Sequence, residues 1–220
     1  MKCKKLAKNL LLFTFKTQKE ISMTFCRVEE FYESPLKRLV GQKFDMFTFL
    51  DQQMNDKGEI DYFSYWTGFN IPGDSVLKWC ELHLQELTPL EHELINNITS
   101  KVDVTKPFYI IGAKEKDANT LDHEIAHALY YLNKLYALQM TKAIYNFYKK
   151  DRKNYVKIVK ALKEMGYNER VIKDEVQAYM STSTKKELLG KFGISLDNKE
   201  TNAVRNEFRK VLAKYNTFKK

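Results

Sequence analysis

Apolar and polar positions along this chain follow two different rhythms, one in each half. In the first half, short apolar runs alternate with turn signals. Phe25 to Tyr32 is rich in aromatic and β-branched residues and stops at Ser34-Pro35, which predicts a strand. Phe44 to Met54 reads as a helix ending at Asn55-Asp56-Lys57-Gly58. Ile60 to Trp66 reads as a second strand, and Thr67 to Gly73 as a loop. Asp74 is placed to cap a helix reaching about Leu87. Thr88-Pro89-Leu90-Glu91 combines a capping box with proline at the first helical position. Phe108 to Gly112 then reads as a short buried strand.

The second half has helical periodicity almost throughout. Asn119 is the expected cap of a helix continuing to about Phe147. Lys153 to Met165 forms the next helix, closed by Gly166. Asn168 opens a third through Met180, Thr184 with Glu187 a short fourth, and Asp197 or Asn198 a last one to Tyr215. The expected fold class is therefore α+β and helix-rich. Residues 1–24 form a basic tail or first strand, 25–115 a mixed lobe with a small sheet, and 116–220 an all-helical lobe, together one compact unit.

Composition narrows the classes. The apolar fraction of 44% and aromatic fraction of 13% exclude a disordered chain. No apolar run is long enough for a membrane helix. Cys3, Cys26 and Cys80 are odd in number and lack CxxC spacing, so a reducing, cytoplasmic setting is expected. The first nineteen residues carry six lysines and no acid, which also leaves organelle targeting open. The formal net charge is +9. Residues 20–140 hold 11 basic and 19 acidic groups, whereas 141–220 hold 20 and 9. The surplus sits at the two ends. Solvated helix faces account for it, or else a weak anionic partner bound by the carboxy-terminal half.

The chemistry concentrates at Leu121 to Leu129, where His123-Glu124-Ile125-Ala126-His127 spells HExxH. Residues four apart lie about 40° apart around a helix, so both imidazoles can reach one metal ion. Glu124 is then placed to deprotonate a water there. Leu121, Ile125, Ala128, Leu129, Leu132 and Tyr136 occupy the opposite, core-facing side. An ordinary surface helix has the same pattern, so geometry permits the metal without requiring it.

A catalytic zinc needs a third protein ligand. His83 and His92 precede the motif in helices already explained by core and solvent faces, and no third histidine follows it. Glu175 is the best carboxylate. It falls inside the apolar arc formed by Val171, Ile172, Val176, Ala178 and Tyr179, where an unpaired charge is costly. An arginine partner such as Arg205 or Arg209 is the plainer explanation of its position. Glu164, Glu169 and Glu187 lie at helix ends or on polar faces.

HExxH on one helix with a glutamate on a later helix resembles the gluzincin class of zinc metallopeptidases, over about residues 108 to 180. The resemblance implies a zincin-like fold with Zn2+ held by His123, His127 and Glu175. It also implies a peptide or protein substrate, Glu124 as general base, and a phenol steadying the oxyanion. Tyr179, one turn beyond Glu175, is preferred to Tyr130 for that last role. The class also places a substrate-pairing edge strand just before the HExxH helix, where Phe108 to Gly112 stands. The NExxxD signature of the thermolysin-like branch is absent. The competing functions are a regulatory or nucleic-acid-associated protein that keeps a zincin-like zinc fold, and a structural protein in which HExxH is accidental.

Overall fold

The computed structural model describes residues 1–218, so the last two positions of the expected helical lobe lie outside it. The chain forms two compact units, Met1–Leu121 and Asp122–Lys220. That division falls inside a helix, Ala118–Leu132.

Of the two expectations for the amino-terminal segment, the strand holds, and the segment supplies two strands in a hairpin. Strands β1 (Lys2–Ala7) and β2 (Leu10–Phe15) pair antiparallel. A single sheet follows in the order β1-β2-β4-β3, where β3 is Gly68–Pro72 and β4 is Tyr109–Lys114. Strand β4 runs parallel to β2 and antiparallel to β3. It is therefore an interior strand with a partner on each side, and cannot be the substrate-pairing edge suggested by the resemblance. Buried on both faces, it reads as the apolar run Tyr109 to Ala113.

Two of the expected strands are helical. The segment holding Phe25 to Tyr32 belongs to α1 (Gln18–Glu33), started by a capping box between Thr17 and Glu20. Ile21, Phe25 and Val28 recur at helical spacing and are fully buried. That period outweighs the local aromatic content. Ile60 to Trp66 gives only an isolated bridge from Ile60 to Met54 and the short helix α3 (Tyr62–Tyr65), after α2 (Met46–Asp51). Conversely, the expected loop Thr67 to Gly73 contains β3. Gly68 and Pro72 suggested a break, but an edge strand tolerates proline at its end.

Phe25 anchors α1 to the sheet. Its ring stacks on Phe69 at 5.4 Å and meets Phe13 and Phe15 edge-on at 6.1 Å. A side chain at Gly112 would place its Cβ 2.6 Å from that ring, so only glycine fits there. Helices α4 (Gly73–His83) and α5 (Pro89–Lys101) complete this unit. Asp74 lies in the first turn of α4, and Pro72 occupies the cap position. Thr88 and Glu91 form the expected capping box of α5. Arg27 of α1 makes a buried two-pronged pair with Glu91, at 2.8 and 2.6 Å, and also donates to the Glu86 carbonyl. Breaking such a pair costs about 3–5 kcal/mol.

The second unit is all helical among the described residues. The single helix expected to reach Phe147 is two, α6 (Ala118–Leu132) and α7 (Lys134–Lys150). Asn133 takes an extended conformation between them, and its side chain accepts from the backbone of Leu135 and Tyr136. Asp117, not Asn119, bonds the backbone N–H of Thr120 at the start of α6. Next come α8 (Arg152–Glu164) and α9 (Ile172–Thr182). Asn168 shapes the turn before α9 by accepting from Arg170 N–H. Helices α10 (Lys185–Phe192), with the Thr184–Glu187 capping box, and α11 (Lys199–Tyr215), capped by Asn198, match expectation. Among the described residues no helix is long and apolar enough to cross a membrane.

Candidate metal centre

The middle of α6, from Glu124 to Leu129, is buried and His123 is partly so, so the histidine side is not an open solvent face. It meets α9, whose own buried face carries four polar side chains: Glu175, Gln177, Ser181 and part of Thr182. Burying that much polarity requires partners.

Ser181 bonds the Gln177 and Ala178 carbonyls, and the imidazoles of α6 face Asp174, Glu175 and Thr182. His127 Nδ1 lies 3.0 Å from Asp174 Oδ1, and its Nε2 lies 3.5 Å from Glu175 Oε1. His123 Nδ1 lies 3.3 Å from Thr182 Oγ1, and its Nε2 lies 3.7 Å from Glu175 Oε2. Thr182 donates its hydroxyl proton to the Ala178 carbonyl at 2.7 Å, so it accepts from His123. Both rings thus have Nδ1 engaged by α9 and turn Nε2 towards one carboxylate. One ligand atom each from His123, His127 and Glu175 fall within 4.8 Å of one another.

The gaps on the inner side are too long for hydrogen bonds. His127 Nε2 and Glu175 Oε2 are buried without a hydrogen-bond partner. Two orphaned atoms aimed at a common point are costly in a dry interior. Imidazole nitrogen and carboxylate oxygen are the donor types that zinc accepts. The residues therefore fit a metal ion on their own geometry. Burial opposes a charge on His127, but Asp174 and Glu175 overcome it and raise its pKa well above the ordinary histidine value. Burial pushes the Glu175 carboxyl up, and His127 and His123 outweigh this and bring it below its usual range.

Other expectations can be placed on this geometry. Arg205 donates to the Ser183 carbonyl, and no salt bridge joins any arginine to Glu175 among the described residues. Glu187 caps α10, while Glu169 and Glu164 pair with Lys163 and Lys160 on the surface. His83 is a buried core residue: Nδ1 contacts the Trp79 carbonyl at 2.8 Å and Nε2 accepts from Phe44 N–H. His92 lies exposed on α5. Tyr179 packs its ring against His123, with centroids 4.6 Å apart, and against Phe192 at 4.9 Å. Its hydroxyl lies 3.3 Å from that of Tyr167, and burial raises its pKa. Tyr130 is near Thr141 instead.

Asp174 escaped the sequence reading as a partner of His127. Gln177 donates to the same Asp174 oxygen at 2.8 Å, and buried Tyr136 of α7 donates to Gln177 at 2.8 Å. The signal was weak: Asp174 and Gln177 stand three apart on one side of the helix, but Arg170, Lys173 and Ser181 make that side polar in any case.

Comparison with known proteins adds no relative: no family model, no curated protein and no solved structure matches the chain.

Proposed function

We propose that this protein is a zinc-dependent hydrolase of peptide bonds, with the metal held by His123, His127 and Glu175. The observation that carries this reading is the convergence of three ligand atoms within 4.8 Å, two of whose residues leave a buried polar atom without a hydrogen bond. An HExxH helix supplies two of these residues, and it also brings Glu124 to the buried side of the same turn.

Zinc in this set supplies a Lewis acid that activates water and polarises the scissile carbonyl. Glu124 takes the proton from the attacking water and returns it to the departing amine. His127 is oriented by Asp174, and His123 by Thr182. Tyr179, fixed against His123, is assigned to the oxyanion that develops on the substrate.

Metal analysis of the purified protein tests the assignment. One zinc per chain is expected, removed by chelator and lost in His123→Ala, His127→Ala or Glu175→Ala. A folded protein that takes up no transition metal would sink the proposal. Glu124→Gln is expected to keep zinc while peptide hydrolysis falls about a hundred- to ten-thousandfold. If that variant loses its metal, Glu124 is a ligand and the roles are misassigned. A zinc-bearing regulatory protein is the second reading, favoured by the basic surplus of residues 141–220. Full zinc loading with no hydrolysis of any peptide library would select it.

A further inference from the structure

Helix α7 has a second apolar stripe besides the one facing the core. Tyr136, Met140, Ala143, Ile144 and Phe147 are buried on one side. On the opposite side, Leu135, Leu138 and Tyr145 are 63%, 67% and 58% exposed. At about 100° per residue these three fall on one strip with Lys142 and Lys149. Leucines more than half exposed, clustered at helical spacing, are not the scattered surface apolars of an ordinary face.

Charge identifies what this strip suits. Between residues 134 and 163 the sequence has nine basic residues and one acid, Asp151. That acid is half-buried and engaged: it caps α8 and accepts from Thr201 at 2.7 Å. Of the other nearby carboxylates, Glu207 of α11 is held at the flank by Lys150 and Asn146, and Glu164 at the far end of α8 pairs with Lys160. Lys134, Lys142 and Lys149 make no salt bridge among the described residues. Beyond the strip, Tyr148 meets Tyr155 of α8 edge-on at 5.4 Å, and α8 continues with exposed Val156 among Lys157 and Lys160. Lysines and exposed apolar side chains are thus interleaved along one strip.

We propose that this outer face of α7, continued along α8, docks on the surface of an anionic lipid bilayer. Leu135, Leu138 and Tyr145 enter the interfacial region, and the lysine stems snorkel so that their ammonium groups meet headgroup phosphates. A nucleic acid is a poorer match. Its phosphates would use the lysines, but the leucines would gain nothing, and α7 has no arginine on this strip. A second copy of the chain is disfavoured, since the same lysines would meet across the contact.

Vesicle flotation with the full-length protein tests this. Binding is expected to phosphatidylcholine vesicles containing about 30 mol% phosphatidylserine and not to phosphatidylcholine alone, and to weaken as salt is raised. The pair Leu135→Ser and Leu138→Ser should cut partitioning at least about tenfold with circular dichroism unchanged. Should that pair disturb the fold, Lys142→Glu with Lys149→Glu, both at exposed sites, should give the same loss. The proposal is overturned by absence of flotation with the anionic vesicles at low salt. It is equally overturned if the serine pair binds like the parent, which would leave a merely cationic surface. Displacement from vesicles by an RNA or DNA oligonucleotide at lower concentration would assign the face to nucleic acid instead.

Discussion

His127 is held from two sides by different acids, and the difference decides what each does. Asp174 meets Nδ1 at 3.0 Å and fixes the tautomer, whereas Glu175 faces Nε2 across a gap of 3.5 Å that a metal can occupy. Asp174→Asn should therefore preserve the fold but lower zinc affinity about 10- to 100-fold, measured by competition with a chromophoric chelator. An unchanged affinity would make Asp174 a bystander. Glu30 of the other unit shows how burial acts without a cationic partner. Desolvation raises its pKa, against the hydroxyls of Ser34 and Tyr62, which favour the anion. A folded pKa above the unfolded one contributes stability below the unfolded value, and that contribution is lost as pH rises through the folded value. Glu30→Gln, which cannot ionise, is thus expected to raise the thermal midpoint at pH 7. The gain should shrink as pH falls below the ordinary carboxylate range, and a pH-independent difference would contradict the assignment.

Elements were legible where the signal was local and illegible where tertiary context decided. The capping boxes Thr88–Glu91 and Thr184–Glu187 name their helices because a side chain and a backbone N–H three residues apart satisfy each other without help. The equivalent box at Thr17–Glu20 was masked by the aromatic run that follows, so α1 was expected as a strand. Pairing with β4 makes β3 a strand despite its glycine and proline, and no local pattern foretells a neighbour. At the site, Glu175 was legible because its charge interrupted an apolar arc. Thr182 was not, because a threonine at a helix end has many ordinary uses. The break at Asn133 was also hidden, since apolar periodicity resumes on α7 after one residue. There the asparagine oxygen accepts from Leu135 and Tyr136 N–H, both at 3.1 Å. Asn133→Ala should cost about 1 kcal/mol in denaturant unfolding, and Asn133→Asp should retain most of the stability. Equal losses in both would place the role of Asn133 elsewhere.

At the scale of the whole molecule, the candidate ligands tie together elements far apart in sequence but within one unit. His123 and His127 belong to α6 and Glu175 to α9, with α7 and α8 between them in the chain. An ion that binds only when α6 and α9 are packed stabilises that packing by mass action, by about 2.7 kcal/mol when free metal is 100 times its Kd. It also relieves the two orphaned atoms, His127 Nε2 and Glu175 Oε2, whose desolvation otherwise opposes the same packing. Zinc should therefore slow amide hydrogen exchange most in α6 and α9. The β1–β2 hairpin, which holds no candidate ligand, should gain little protection. His127→Ala should abolish the zinc effect in both helices at once, because removing one donor from a shared site uncouples the other helix as well. If zinc protected α6 alone, Glu175 would not belong to the ligand set, even with both histidines bound. If it protected neither helix while still raising the thermal midpoint, the metal would be acting at some other place on the chain.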